Sequence, residues 1–217
     1  MLHTAVKNND IDQVRALLED GTAVNAHIND VISDEITALH LAVYLGHAEI
    51  AKVLLDHGAD LHEVDFERKS PMHYAAEYGR IEIIKILMDY GADIHACDKY
   101  ERTPLHYATR EWRLETTKFL VNQGADLRAR NRYMYTPLHE ALETECTEIV
   151  DWLVARAIQV AWRAHRRNRA ARVIQHHWVR AYWDPRYRVC QGRLCRDFAA
   201  LTAEAVPAPA PVPVPTN

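Results

Sequence analysis

The sequence predicts an all-α protein, a solenoid of stacked helix-loop-helix units joined by hairpin loops. The first observation is a tetrapeptide that recurs every 33 residues and reads TALH, SPMH, TPLH and TPLH from Thr37, Ser70, Thr103 and Thr136. The second is a Gly-Ala-Asp triplet that follows three of these tetrapeptides by 21 residues, at Gly58, Gly91 and Gly124. A fixed period in the range of about 20–50 residues is typical of stacked units, because each unit buries its apolar face against its neighbours.

Each unit is predicted to contain two helices whose ends are marked by particular residues. Thr103 is suited to the N-cap, since its hydroxyl accepts a hydrogen bond, and Pro104 fits the first helical position. Gly79 ends the first helix of its unit, because glycine readily adopts a left-handed backbone. The second helix of that unit carries apolar residues at helical spacing before it reaches Gly91: Ile81, Ile84, Ile86 and Leu87.

The pattern accounts for about five units within a repeat domain over residues 1–155. They lie near residues 1–24, 37–69, 70–102, 103–135 and 136–155. The first is a partial unit, in which Leu2-His3-Thr4-Ala5 matches Leu39-His40-Leu41-Ala42 at an offset of 37 residues. Since that offset is four residues longer than the period, the loop over residues 25–36 is expected to bulge.

This period, the TPLH tetrapeptides and the Gly-Ala-Asp triplets resemble the ankyrin-repeat family. The resemblance implies an all-α ankyrin-repeat solenoid that binds proteins without catalysing a reaction. It also implies a structural role for the histidines that recur with the period, in which each imidazole bonds to backbone near the Thr. Those histidines are His3, His40, His73, His106 and His139.

The C-terminal third of the chain departs from the repeat pattern. No Gly or Pro occurs from Glu148 to Trp183, so we expect one long or briefly interrupted helix that ends before Pro185. Residues 155–196 contain 11 Arg, no Lys and a single acid, Asp184, which gives a charge of +10 against −14 for the rest of the chain. We predict a basic helix over residues 156–183, an Arg-rich segment over 184–201 and a disordered Pro-rich tail over 202–217.

The basic helix resembles the IQ motif, a helical segment that holds calmodulin or related EF-hand proteins. Ile158, Gln159 and Arg163 match the first, second and sixth positions of the motif, and Trp162 is the frequent aromatic residue at the fifth. Ala164 replaces the common Gly, and Arg167 lies one residue before the slot of the final Arg. A second, poorer copy starts at Ile174-Gln175 and has its aromatic residue at Trp178.

Three interpretations of this basic helix stay open. It is a calmodulin-binding helix, a solvated cap at the end of the array, or a binder of RNA or another phosphate-bearing surface. The segment from Trp183 to Phe198 also resembles, loosely, the tails of ankyrin proteins of large DNA viruses, which would place the protein in host cytoplasm. Residues 187–201 resemble a poor version of the box by which ankyrin proteins recruit a ubiquitin ligase.

The hairpin tips carry the candidate partner-binding residues of the array. These are Phe66, Arg68, Tyr100, Arg102, Tyr133 and Tyr135. Aromatic and Arg side chains are enriched at the hot spots of protein interfaces. The alternative is that Tyr133 and Tyr135 only pack on adjacent tips.

The sequence contains no catalytic motif, so we expect neither an enzyme nor a cofactor. No phosphate-binding glycine loop, nucleophile elbow or paired acid-base motif occurs, and the periodic histidines fall on successive units rather than at one metal site. The four cysteines, Cys97, Cys146, Cys190 and Cys195, lack disulfide or metal spacing, and no apolar run is long enough to span a membrane.

We expect an intracellular, cytoplasmic monomer that acts as an adaptor or scaffold. A ubiquitin-ligase adaptor is the main alternative, and a nucleic-acid binder is the third.

Overall fold

The computed structural model describes residues 1–30 and 33–165 of the chain. Ten helices and two short strands occur in these residues. The helices are α1 (Leu2–Lys7), α2 (Ile11–Glu19), α3 (Ala38–Leu45), α4 (Ala48–Asp56), α5 (Pro71–Glu77), α6 (Ile81–Asp89), α7 (Pro104–Arg110), α8 (Leu114–Asn122), α9 (Pro137–Glu143) and α10 (Thr147–His165). The strands are β1 (Ile28–Asp30) and β2 (Ser33–Ile36).

The helices form two stacked rows, as the repeat period predicts. The first helices of successive units contact one another in the order α1, α3, α5, α7 and α9. The second helices form a parallel series of contacts through α2, α4, α6 and α8. The predicted all-α repeat solenoid is confirmed by this arrangement.

Helix starts and stops follow the predicted residues. Thr37, Ser70, Thr103 and Thr136 are the N-caps of α3, α5, α7 and α9, each with an extended backbone. The histidine three residues later completes a capping box in all four units. Gly79 and Gly91, the predicted helix stops of one unit, both have a positive φ, of 72° and 92°.

The core lies between the two rows of helices. Ile50 and Leu54 of α4 are fully buried, and so are Ile84 and Leu87 of α6. Each of these side chains contributes about 1.5–3 kcal/mol to stability through its burial. A single unit leaves such side chains half covered, which explains why the units are stable only when stacked.

The inserted residues between the first two units form the expected bulge as a small hairpin. Strands β1 and β2 pair antiparallel, with Ile28 opposite Ile36 and Asp30 opposite Ser33. Ile36 is buried and leads directly into the N-cap Thr37. The insertion therefore leaves the start of α3 in the same form as in the other units.

The chain divides into two compact units at Val150 and Asp151. The described part of the second unit is the remainder of α10, which continues without a break to His165. The predicted course of this helix from residue 166 to Trp183, the Arg-rich segment and the Pro-rich tail lie outside the described residues. The predicted domain bounds at 155, 183 and 201 stay predictions.

Candidate functional site on the hairpin tips

Each hairpin tip is closed by one acidic or amide side chain at its first position. Asp98 Oδ1 accepts hydrogen bonds from the backbone N–H groups of Tyr100 and Arg102, both at 2.8 Å. Asp65 and Asn131 make the same pair of bonds in the neighbouring tips. These bonds hold a tight turn around the residue that lies two positions before the N-cap of the next helix.

The residues at that position adopt a left-handed backbone although they carry side chains. Arg68, Glu101 and Met134 have φ values of 60°, 61° and 63°. A non-glycine residue costs roughly 1–2 kcal/mol in this conformation. The two bonds to Asp65, Asp98 or Asn131 offset that cost, so each tip presents an extra side chain without losing its shape.

A second layer of bonds anchors the tips to the first helices. Asp98 Oδ2 accepts from Tyr107 Oη of α7 at 2.7 Å and from the Arg102 guanidinium at 2.7 Å. Burial opposes ionisation of Asp98, but the hydrogen bonds from Arg102 and Tyr107 outweigh it and hold the pKa of this carboxyl below its usual value. For Tyr107, burial and then the bond donated to Asp98 raise the pKa of the phenol.

The same anchor recurs in the neighbouring units with altered chemistry. Tyr74 Oη donates to Asp65 at 2.7 Å, while Asn131 Nδ2 donates to Glu140 at 3.0 Å. The sequence analysis missed this anchor, although its signal is present: Asp, Asp and Asn recur at 65, 98 and 131, each nine residues before Tyr74, Tyr107 and Glu140.

An exposed row of side chains runs along the tips, and we call Phe66, Tyr100, Tyr133, Met134 and Tyr135 the aromatic ridge. Phe66, Tyr133 and Met134 are 60%, 64% and 60% exposed. Tyr100 is half-buried and stacks on Tyr133, with 6.4 Å between the ring centroids. Tyr135 is less exposed than Tyr133 and stacks on the His139 ring.

The ridge is held together across tips by contacts of both side chains and backbone. Lys99 Nζ lies 4.0 Å from the centroid of Phe66 and 5.1 Å from that of Tyr100, so one ammonium bridges two rings. Backbone bonds also join the tips, from Lys99 N–H to Glu67 C=O at 2.9 Å and from Arg132 N–H to Tyr100 C=O at 2.8 Å. The ridge is therefore a fixed surface.

The six predicted contact residues of the array fall into four environments. Phe66 and Tyr133 are exposed on the ridge, with Tyr100 between them. Arg68 is exposed at its tip, and Tyr135 lies against His139. Arg102 is largely covered, because its guanidinium pairs with Asp98 and lies over the rings of Tyr100 and Tyr107.

An open cleft of about 260 Å³ lies beside the ridge. It is lined by Glu67, Lys69, Tyr100, Arg102, Arg110 and Tyr133. The sequence analysis did not single out Lys69 or Arg110. Lys69 precedes the cap Ser70, and Arg110 ends α7, so the cleft is formed by residues of the tips together with one residue of a first helix.

Three of the periodic histidines, His40, His73 and His106, have a structural role. Nδ1 of His73 accepts from the Ser70 backbone N–H at 3.1 Å, and its Nε2 donates to the Arg102 carbonyl of the next unit at 3.1 Å. His40 and His106 make the corresponding bonds to Lys69 and Tyr135. Burial lowers the pKa of His40 and of His73 to about 4. Both ring nitrogens of His40, His73 and His106 are thus occupied, and the expected backbone bonding is confirmed for these three histidines.

Over residues 1–30 and 33–165, no cluster of three or more His, Cys, Asp or Glu side chains is placed to hold a metal ion. In the same residues, no helix is both long and apolar enough to cross a membrane.

The first IQ-like segment lies in the last part of the described chain. Ile158, Gln159, Trp162 and Arg163 are all in α10, with Ile158 and Trp162 one helical turn apart. Gln159 is exposed and accepts a hydrogen bond from Arg156 at 2.8 Å. Arg167 and the second copy, with Ile174, Gln175 and Trp178, lie outside the described residues.

Comparison with known proteins agrees with the repeat architecture. The family model described as "Ankyrin repeats (3 copies)" matches residues 2–98 and 91–161. Human ankyrin repeat domain-containing protein 49 is 39% identical over 64 residues, and the Bos taurus protein of that name is 36% identical over 64 residues. Each of these matches covers 30% of this chain and 26% of the relative, so the chain spans about a quarter of the relatives' length. With the family model matching well over half of its residues, the chain belongs to the ankyrin-repeat family.

Proposed function

We propose that this protein is a non-catalytic scaffold or adaptor that binds a protein partner through its hairpin tips and concave face. Ankyrin repeats point to protein–protein interaction in general. The single observation that supports a specific surface is the aromatic ridge, on which Phe66, Tyr133 and Met134 are each at least 60% exposed. Clustered exposed aromatic and Met side chains are costly in water and are the residue types enriched in interfaces.

The test removes exposed ridge side chains and leaves the anchors of the tips intact. In the triple variant Phe66→Ser, Tyr133→Ser and Met134→Ser, we expect loss of the partner captured from lysate, measured by quantitative mass spectrometry. The melting temperature should barely change, because surface substitutions usually alter stability by about 0.5 kcal/mol or less. Trp112→Ser is the control, since Trp112 is 63% exposed and lies in the loop after α7, at the end of that helix opposite the tips. Equal capture of the partner by the wild-type protein, the triple variant and Trp112→Ser would exclude the ridge as the binding surface.

We also propose that the IQ-like helix recruits calmodulin or a similar acidic EF-hand protein. Support comes from the continuous helical course of α10 to His165 and from the exposure of Gln159 and Val160 on it. A basic helix with bulky apolar residues suits a groove that accepts such side chains.

Calorimetry with calmodulin, with and without calcium, tests this recruitment. Ile158→Ala with Trp162→Ala should weaken binding more than Arg166→Ala with Arg169→Ala, because anchors buried in a groove carry most of the binding energy. A larger effect of the Arg pair, with binding lost at modest salt, would favour the phosphate-bearing partner instead.

A ubiquitin-ligase adaptor would need residues 187–201, which lie outside the described residues. An RNA or acidic-surface binder would use the basic helix over residues 156–183, of which the structure describes residues 156–165. Ligase subunits recovered with a 147–217 bait would support the adaptor, and nuclease-sensitive capture would support the nucleic-acid binder. A cytoplasmic monomer remains our proposal, in keeping with the free thiols of Cys97 and Cys146.

A further inference from the structure

We propose that the cleft beside the ridge holds an acidic side chain, Asp or Glu, from an extended segment of the protein partner. This inference rests on the proposed function and adds the chemistry of the partner's segment. Three of the six residues that line the cleft are cationic, two are tyrosines, and Glu67 is the single acid among them.

The cations are held in place before any partner arrives. The Arg102 guanidinium lies 4.6 Å from the Tyr100 centroid and 4.7 Å from the Tyr107 centroid. The Arg110 guanidinium lies 5.1 Å from the Tyr107 centroid, and Lys69 Nζ lies 4.8 Å from it. One buried tyrosine therefore organises all three cations, and an anion that binds them does not have to order flexible side chains.

Donor groups remain for a bound carboxylate. Arg110 Nε contacts Glu111 at 3.2 Å, while among the described residues its two terminal nitrogens have no acceptor. Arg102 directs Nε and one terminal nitrogen at Asp98, so its other terminal nitrogen can donate to a bound carboxylate. Two guanidiniums with terminal N–H groups at one cleft suit a carboxylate, which accepts such bonds in pairs.

The neighbouring acids set how strongly the cleft attracts an anion. Glu77 pairs with Lys69 at 3.1 Å, and the side chain of Asp98, which pairs with Arg102, is 0% exposed. Glu67 lies between Lys69 and Lys99, at 3.7 Å and 3.2 Å. Glu140 interacts electrostatically with both Arg102 and Arg110 and is half-buried, so it is the internal competitor for these cations.

The aromatic ridge next to the cleft indicates which residues the partner's segment carries beside its acidic residue. Tyr100 and Tyr133 line the cleft and also belong to the ridge, so a chain that places a carboxylate beside Arg110 passes over the exposed ridge side chains. We therefore expect an acidic residue with an aromatic or large apolar residue within a few positions of it.

The test selects peptides without assuming a partner. A displayed library of random 12-residue peptides is panned on the full-length chain, and the enriched peptides are measured by fluorescence anisotropy, each beside its Glu→Gln or Asp→Asn version. We expect enrichment of an acidic residue near an apolar one, and at least about tenfold weaker binding of the amide versions.

Protein variants locate the binding within the cleft. Arg110→Gln should weaken the selected peptides about tenfold, and Glu140→Gln, which removes the competing carboxylate, should strengthen them. Lys118→Gln is the charge-matched control, since Lys118 pairs with Glu115 on the exposed face of α8.

Three results would overturn the proposal: no enrichment at all, enrichment without an acidic residue, or equal binding by the Arg110→Gln and Lys118→Gln proteins. The proposed function is judged separately by the ridge triple variant and its lysate partner. If the ridge triple variant no longer captures the partner but Arg110→Gln still does, the ridge remains the proposed binding surface. Only the proposal of an acidic segment in the cleft would then be rejected.

Discussion

Acid should destabilise the repeat array as pH falls below 6.5, because the buried His40 and His73 fold in the neutral form. His40 and His73 are buried, and burial lowers the pKa of each from 6.5 to about 4. The pKa of His106 is lowered by the same cause. Protonation would also place a hydrogen on Nδ1, which accepts the backbone N–H of Ser70 in the case of His73.

The sign of the effect follows from which state binds the proton first. Between pH 6.5 and about 4 the unfolded imidazoles are protonated and the folded ones are not, so the unfolded state is favoured as pH falls. A pKa difference of this size corresponds to about 3 kcal/mol for each of the two histidines. Their contribution to stability is fully present above pH 6.5 and is lost as pH approaches 4.

That loss is large on the scale of protein stability. Domains are commonly stable by about 5–15 kcal/mol, so two such histidines remove a substantial part of the total. Urea unfolding, followed by circular dichroism at pH 7.5, 6.5, 5.5 and 4.5, measures it. We expect a plateau above pH 6.5 and, below it, a fall of at least about 2.7 kcal/mol per pH unit, which is the contribution of His40 and His73.

Variants assign the slope to particular histidines. His73→Gln should lower stability at pH 7.5, because it disturbs the bonds to Ser70 and Arg102, and should reduce the slope below pH 6.5 by about 1.4 kcal/mol per unit. His62→Gln is the control, since His62 is an exposed turn residue whose backbone N–H bonds to Asp60. A flat profile down to pH 4.5, or an unchanged slope in His73→Gln, would refute the explanation.

Two further substitutions test the packing of the array and the anchoring of the tips. Thr117→Val should raise the free energy of unfolding by about 1 kcal/mol, because Thr117 Oγ1 is buried without a hydrogen-bond partner among the described residues. Thr109→Val, which removes a hydroxyl bonded to the Leu105 carbonyl, should bring no gain in urea unfolding, and equal effects of the two would contradict this account. Asp98→Ala should cost about 3–5 kcal/mol by leaving Arg102 and the tip amides unpaired, whereas Asp98→Asn should cost less in the same assay, since Asn131 closes the next tip. A cost for Asp98→Asn as large as that for Asp98→Ala would show that the tip depends on the charge paired with Arg102 more than on the two backbone hydrogen bonds that an Asn oxygen can accept.

The periodic features of the fold could be predicted from the sequence because they depend on neighbouring residues. An N-cap, a Pro at the first helical position and a Gly stop each act within one turn of helix, as at Thr103, Pro104 and Gly79. The bonding of the histidines followed from the family resemblance. These features fixed the order and the stacking of the helices.

Contacts between units were harder to predict, since they join side chains about one period apart. Arg80 donates to the carbonyls of Tyr44 and Leu45 at 3.4 Å, and Arg113 donates to that of Glu77 at 3.1 Å. Each Arg thereby binds carbonyls at the end of the first helix in the preceding unit, where such groups otherwise lack partners. The recurrence of Arg at positions 80 and 113 is visible in the sequence, but the direction of a long side chain is not.

The orientation of the tip aromatics also depended on tertiary contacts. The sequence predicts partner-binding aromatic residues at Phe66, Tyr100, Tyr133 and Tyr135, with packing between adjacent tips as the alternative for Tyr133 and Tyr135. The structure contains elements of both, because Tyr100 stacks on Tyr133 while most of Tyr133 stays exposed. A stacked tyrosine loses little conformational freedom on binding, so packing between tips favours an interface at this surface and does not argue against one.

Stability and recognition share residues at the tips, and this decides which substitutions are informative. Arg102 pairs with the buried Asp98 and also lines the cleft, and Lys69 provides the carbonyl that binds His40 while its ammonium lines the same cleft. Loss of binding after a change at either residue would not distinguish a damaged tip from a missing contact. Arg110 has a partly exposed pairing with Glu111, an electrostatic interaction with Glu140 and a contact with Tyr107, none of which closes a tip, and Phe66 is exposed. Binding should therefore be separable from folding at Arg110 and Phe66, and inseparable from it at Arg102.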